Sequence, residues 1–126
     1  MEIVSLSLDR ATLDELNRLK KELGFSSRSR LLRASISSFA NEYRALETRK
    51  GHCDAVFTVT YRKHEGKGLA RMMSRFEEII RTEIHQHHEG TCLRILVLCG
   101  SADKVRELFT VLKKEKDVRS VHCSIL

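Results

Sequence analysis

The stretch Met1-Glu2-Ile3-Val4-Ser5-Leu6-Ser7-Leu8-Asp9 decides how the amino-terminal part folds, because its side chains alternate strictly between two faces of a strand. One face is apolar and consists of Val4, Leu6 and Leu8. The other presents one branched apolar and two hydroxyl side chains, Ile3, Ser5 and Ser7. No second strand pattern lies within about the next forty residues. The backbone of this strand therefore needs a partner from another chain, and the cheapest partner is its own copy.

Two amphipathic helix patterns follow the strand. Asp9 is a suitable N-cap for the first helix, whose leucines recur at spacings of three and four until Gly24 ends the pattern. Ser26 or Ser27 can cap the second helix, which we expect to end near Leu46. So short a segment buries too little apolar surface alone, so the dimer that pairs the strands is expected to interleave these helices. A two-stranded ribbon set on helices is a shape that fits the DNA major groove.

The first turns of the second helix are strongly basic. Arg28, Arg30 and Arg33 lie there, and no acidic residue occurs between Glu22 and Glu42. Positive side chains oppose the helix dipole at an N-terminus, so an anion is expected to offset them. A DNA phosphate on the free N–H groups of residues 26–29 satisfies both the dipole and the charge.

These residues resemble the ribbon-helix-helix, or CopG-like, family of DNA-binding domains over residues 1 to about 46. The resemblance implies that the outward strand residues read base edges and that residues around the second helix N-terminus hold the DNA backbone. Serine can donate to or accept from either base, and isoleucine can pack on a thymine methyl. The expected partner is a double-stranded DNA operator, contacted by Ile3, Ser5, Ser7, Ser27, Arg28, Ser29, Arg30 and Arg33.

A second domain follows the polar linker that ends at Gly51. We place the domains at residues 1–48 and 52–126. Strand patterns at 55–63, 82–87, 93–98 and 118–126 alternate with helix patterns at 66–81 and 102–114. The order βαββαβ predicts a split, ferredoxin-like arrangement, so the fold class of the chain is α+β.

The predicted hairpin brings three metal-ligating side chains together. His85 and His87 are two residues apart on a strand and share a face, and the turn returns Cys92 beside them. Nitrogen and thiolate donors suit nickel, zinc, cobalt or copper and disfavour magnesium or calcium. The alternative is a pair of exposed strand histidines next to a core cysteine.

The second domain resembles the regulatory domain of the NikR family of nickel-responsive repressors, an ACT-like βαββαβ unit that follows a ribbon-helix-helix domain. The resemblance is carried by five stretches: 61–65, 84–87, 92–93, 96–100 and 118–119. It implies that Ni(II) is the first choice of metal and that His85, His87 and Cys92 ligate it. It also implies a homotetramer, in which a further histidine ligand arrives from the regulatory-domain helix of another subunit.

The sequence departs from the family pattern in three places. The spacing from His87 to Cys92 is one residue shorter, which predicts a different hairpin turn and a displaced thiolate. Positions Arg30 and Ala34 lack the acidic residues with which some relatives hold a cation. The predicted helix from residue 66 holds no histidine.

Other donors therefore have to be considered for the fourth ligand. A glutamate such as Glu78 suits zinc or cobalt, a methionine suits Cu(I), and water or His88 can complete either site. His64 matches a family histidine and is a candidate for an accessory site, its alternative being a solvated strand-end histidine. The positions at which a fourth ligand can stand are Met72, Met73, Ser74, Glu77 and Glu78.

Composition excludes other classes of protein. The chain has 126 residues, 41% apolar, and a net charge of +6, which favours a polyanionic partner. It shows no membrane span or signal peptide, so we expect a cytoplasmic protein without a membrane partner. Its four cysteines lack a C-x-x-C pair, and Cys99 and Cys123 are expected in core strand positions. No defensible catalytic constellation occurs, so an enzyme is not expected.

The leading interpretation is a metal-responsive transcriptional regulator, most simply a repressor. The alternative is a ribbon-helix-helix regulator whose ACT-like domain senses a small molecule and no longer responds to nickel. An antitoxin fits less well, because residues 55–126 have the pattern of a folded domain. A metal-storage or thiol-redox protein would not need the amino-terminal ribbon.

Overall fold

The computed structural model describes residues 1–62 and 66–126, which form two compact units, residues 1–41 and 42–126. Its elements are α1 (Arg10–Leu23), α2 (Arg28–Glu47), β1 (His52–Arg62), α3 (Gly66–Ser74), β2 (Ile80–His88), β3 (Thr91–Ser101), α4 (Ala102–Lys114) and β4 (Val118–Ile125). None of the helices in the described ranges has the length and apolar character needed to span a bilayer.

The two amino-terminal helices begin where their N-caps predict, and α1 ends at its predicted C-cap. The Asp9 carboxylate accepts a hydrogen bond from the Thr12 backbone N–H at 2.7 Å, and Gly24 ends α1 in the left-handed conformation with φ 73°. The Ser27 hydroxyl accepts from the Arg30 N–H at 3.1 Å, so Ser27 caps α2. Both helix predictions are confirmed.

The predicted strand at residues 1–8 is not formed in the single chain. Residues 1–9 have no regular structure and make no ladder with any described strand. The physical reason is that a lone strand has no hydrogen-bonding partner within its own chain. Val4, Leu6 and Leu8 nevertheless share one side, since all three line a groove with Leu13 and Leu16 of α1. The alternation read from the sequence is retained, and the pairing of two copies remains a prediction.

The amino-terminal unit has almost no core of its own. Helix α1 contains no buried residue, and of the apolar side chains in residues 1–41 only Leu31 is buried. Val4 and Leu6 are 75% and 65% exposed, and Ile36 and Phe39 on α2 are also exposed. So much apolar surface in so small a unit indicates that another surface covers it.

The carboxy-terminal unit is a four-stranded antiparallel sheet with the strand order β2-β3-β1-β4. This is the ferredoxin-like βαββαβ arrangement, so the predicted fold class is confirmed. The last turns of α2 join this unit, where Tyr43 stacks on Phe109 with ring centroids 5.8 Å apart. The largest fully buried core side chains include Leu46, Phe57, Val59, Tyr61, Phe76, Leu96, Leu98, Leu108 and Leu112.

Helix α3 is shorter than the helix predicted at 66–81, so the predicted end of this helix is wrong. The helix stops at Ser74, and residues 75–79 form turns. In these turns the backbone hydrogen bonds join residues three apart, as from the Phe76 N–H to the Met73 carbonyl at 2.9 Å. The tighter turns still bury Phe76 and Ile79, and they free the Ile79 carbonyl to accept from the Cys99 N–H of β3 at 2.8 Å. The apolar spacing at residues 75–79, which predicts helix, belongs instead to turns that bury the same side chains and lead into β2.

Candidate metal centre and nucleic-acid interface

The two strand histidines lie on one face of β2, at the edge of the sheet. In the antiparallel register His85 faces Arg94 and His87 faces Cys92 of β3. Alternation along β2 turns both imidazoles to the side on which Cys92 is buried, with 1% of its surface exposed. The predicted set of His85, His87 and Cys92 is thus brought together by strand register.

The ligating atoms of this set converge. Cys92 Sγ lies 3.0 Å from His87 Nδ1, and the two imidazole centroids are 4.4 Å apart. All three ligating atoms lie within 4.8 Å of one another. Two imidazoles and a thiol at this spacing fit a late first-row ion and do not fit magnesium or calcium. When bound, the ion would supply fixed bonds joining β2 to β3.

A tight turn accounts for the short spacing between His87 and Cys92. The hairpin loop consists of Glu89 and Gly90 alone, with φ 42° and 83°. Two successive positive φ angles are the signature of a type I′ turn, which suits the twist of paired strands. With this turn, His87 and Cys92 are direct partners across the ladder.

A hydrogen-bonded layer behind His85 was not foreseen from the sequence. The Tyr61 hydroxyl lies 2.9 Å from His85 Nε2 and accepts from Arg94 Nε at 2.7 Å. Arg94 is held in turn by an ion pair with Glu83. Burial raises the pKa of Tyr61, so the phenol stays neutral beside His85 Nε2.

We expect the change Tyr61→Phe to lower nickel affinity by about 10–100-fold, the usual cost of losing a group that orients a ligand. The ring remains to fill the core, and only the hydroxyl beside His85 is lost. Competition with a chromophoric chelator measures the affinity. Tyr43→Phe is a matched control, since the other tyrosine stacks on Phe109 instead. Equal nickel affinities for the two variants would show that the Tyr61 hydroxyl does not contribute to the metal site.

Of the additional metal candidates, His88 and Glu78 do not join this cluster within the described residues of one chain. His88 points to the other face of β2, with its side chain 87% exposed, and lies 4.0 Å from Glu89. Glu78 lies 3.9 Å from Lys104 at the start of α4. His64 lies outside the described residues. Among the donors considered for the fourth position, Met72 and Met73 are buried in the core.

The base-reading candidates are exposed on the amino-terminal segment. Ile3 is 98% exposed, and Ser5 and Ser7 are exposed as well. The groove on α1 is lined by Val4, Leu6 and Leu8 and not by these three side chains. The base-reading candidates are therefore left open to solvent in the single chain.

The backbone-contact candidates surround the first turn of α2, where they have different environments. The Ser27 hydroxyl is engaged in capping, and Arg28 donates from Nε to the Asn17 side chain at 3.0 Å. Ser29, Arg30 and Arg33 are exposed, and the first turn holds no acidic residue. The exposed arginines flank free helix N–H groups, an arrangement suited to a phosphate.

Comparison with known proteins gives two matching family models. The model described as "NikR C terminal nickel binding domain" matches residues 55–126, and the model "Ribbon-helix-helix protein, copG family" matches residues 2–43. A similar relative is the "Putative nickel-responsive regulator" of Methanococcus maripaludis strain C7, 25% identical over 130 residues, which cover 100% of this chain and 92% of the relative. Another is "Putative nickel-responsive regulator 2" of Methanothermobacter thermautotrophicus, 27% identical over 122 residues, 94% of this chain and 87% of the relative.

Proposed function

Because the chain belongs to the NikR family of nickel-responsive transcription regulators, which are not enzymes, we propose that it binds operator DNA in response to a transition metal held by His85, His87 and Cys92. Ni(II) is the first choice of metal. The observation that carries the proposal is the convergence of two imidazoles and one thiol on the same chain as a ribbon-helix-helix domain. Because the proposed target of the protein is operator DNA, the proposed location is the cytoplasm.

The fourth donor of the metal site comes from a group other than His85, His87 and Cys92. Buried Met72 and Met73 would have to leave the core to reach an ion, which makes a thioether ligand costly. Strand β2 is an edge strand, and both His85 and His87 are exposed to an approaching group. We propose a water or a side chain of a second copy in this position, with exposed Glu77 and Glu78 as carboxylate candidates.

The DNA-binding surface is completed by a dimer. Two copies of residues 1–8 pair into a ribbon, with Ile3, Ser5 and Ser7 towards base edges. The ribbon covers the exposed apolar side chains of the amino-terminal unit, which lacks a core of its own. Arg30 and Arg33 then lie near phosphates, together with the other residues around the start of α2, Ser27, Arg28 and Ser29.

The carboxy-terminal unit joins two such dimers into a tetramer. The sheet face opposite the helices carries apolar side chains that stay partly or fully exposed in one chain: Val56, Ile84, Leu93, Ile95 and Val97. Packing this face against a second copy removes the apolar surface from water. A ligand shifts an equilibrium only by its different affinities for the two states, so the metal acts by favouring one spacing of the two DNA-binding units. Occupation of the operator then represses transcription.

The test is a titration of the protein with metal in the presence of a DNA duplex selected from random sequences. Fluorescence anisotropy of the duplex measures DNA binding. We expect nickel to raise the affinity about 5–150-fold over chelator-treated protein, the usual range of such coupling. Cobalt, zinc and copper are titrated in parallel to rank the metals. His85→Ala combined with Cys92→Ala should abolish the response, whereas His88→Ala, which alters an exposed neighbour, should preserve it.

Two outcomes of this titration would contradict the proposal. One is wild-type DNA binding that is the same with every metal and with chelator. The other is a nickel response that survives in the double variant, since the metal would then act elsewhere. The first outcome favours a regulator whose carboxy-terminal domain senses a small molecule.

A further inference from the structure

A second group of metal-ligating side chains lies at the opposite end of the sheet. His52 Nε2 is 3.0 Å from Asp54 Oδ1 and 3.5 Å from Cys99 Sγ. All three ligating atoms lie within 4.8 Å of one another. Cys99, which was expected in a core strand position, is instead only partly buried, so that prediction is wrong. Its position beside His52 follows from the pairing of β1 with β3, which the sequence alone does not reveal.

This group repeats the arrangement of the first. In each case two donors stand two residues apart on one strand, and the second of them faces a cysteine of β3: His87 faces Cys92, and Asp54 faces Cys99. The new pair differs in having a carboxylate in place of the second imidazole. The same strand register thus builds a three-donor set twice.

The two groups are separate sites. Cys92 and Cys99 lie roughly 20 Å apart along β3 at the usual rise per residue. They also lie on opposite faces, since Cys92 is on the buried side, whereas Asp54 alternates with the buried residues Cys53 and Ala55 of β1. One ion cannot bridge them, and the loss of one group leaves the other in place.

The donor spacing fits a tetrahedral ion. With bonds of about 2.0 Å to nitrogen or oxygen and about 2.3 Å to sulfur, neighbouring ligand atoms lie roughly 3.3–3.6 Å apart. The separation of 3.5 Å between Cys99 Sγ and His52 Nε2 is in this range. His52 Nε2 and Asp54 Oδ1 are 3.0 Å apart and need to move only slightly away from each other to bind the same ion. In the single chain the side chains of His52 and Asp54 are 60% and 48% exposed, so water can reach the fourth position at this end of the sheet.

We propose that His52, Asp54 and Cys99 form a second metal site, which binds a late first-row divalent ion such as Zn(II) or Co(II) with water as the fourth ligand. The site is built from one chain and does not depend on the nickel response. A donor set of nitrogen, oxygen and sulfur favours these ions over magnesium or calcium.

The experiment is a Co(II) titration of the full-length chain carrying His85→Ala and Cys92→Ala, which remove the first site. We expect about one cobalt ion per chain and a thiolate-to-cobalt charge-transfer absorption. Adding Cys99→Ser should abolish this absorption, and adding His52→Ala should weaken cobalt binding at least 10-fold. Both substitutions are at side chains outside the core, and circular dichroism checks that each variant is folded.

The matched control is Cys123→Ser in the same background. Burial raises the pKa of the Cys123 thiol to about 11, so it is not a thiolate at neutral pH. This variant should keep both the stoichiometry and the absorption. The proposal is overturned if the background protein binds no cobalt, or if the absorption persists after Cys99→Ser in folded protein.

Discussion

The change Cys92→Ala is expected to lower nickel affinity more than 100-fold and to remove the effect of nickel on DNA binding. Loss of a group that only orients a ligand already costs about 10–100-fold, so the loss of a ligand should cost more. Cys92 supplies the one thiol within 4.8 Å of His85 and His87 among the described residues. Without it, two imidazoles on an exposed edge strand remain, and they no longer tie β2 to β3.

Isothermal calorimetry or competition with a chelator measures this affinity in the folded variant. Cys123→Ser is the control, because this cysteine lies on β4, away from the two histidines. It should bind nickel as the wild type does. If Cys92→Ala bound nickel within a factor of ten of the wild type, the thiol would not be a ligand and the proposed site would be wrong.

The change Leu6→Asp is expected to weaken dimerisation of the amino-terminal unit at least 100-fold and to abolish specific DNA binding. Burial of a leucine stabilises a protein by about 1.5–3 kcal/mol, and the ribbon buries one from each copy. Since about 1.4 kcal/mol corresponds to a tenfold change in an equilibrium constant, the loss of both exceeds a hundredfold. In the single chain Leu6 is 65% exposed, so the substitution should not disturb the fold of one copy.

The control for Leu6→Asp is Ser5→Ala, on the opposite face of the same segment. It should leave dimerisation unchanged and alter only DNA affinity or sequence preference, because its hydroxyl faces the bases in the proposed ribbon. Analytical ultracentrifugation reports the assembly, and anisotropy reports DNA binding. A Leu6→Asp protein that dimerises through its amino-terminal unit and binds the selected duplex normally would contradict the ribbon.

Local signals in the sequence predict much of this structure. Asp9 and Gly24 mark the ends of α1 because each satisfies helix-end groups through its own chemistry. His85 and His87 share a face because strand alternation has a period of two. In these cases the decisive interactions are between residues close in the chain.

Non-local pairing accounts for what the sequence did not predict. Tyr61 reaches His85, and Cys99 reaches His52, only through the register of β1 against β3 and of β3 against β2. The turns after Ser74 likewise lead to a contact with another strand, the hydrogen bond from the Cys99 N–H to the Ile79 carbonyl. The amino-terminal ribbon depends on a second chain, so one chain cannot display it.

The most direct test of the central claim is selection of genomic DNA fragments from the source organism by the purified chain, with nickel and with a chelator. The account predicts that nickel enriches a small set of fragments and that this enrichment is lost with chelator and in the Cys92→Ala protein. Identical enrichment under both conditions, or no enrichment of any fragment, would contradict a metal-responsive regulator.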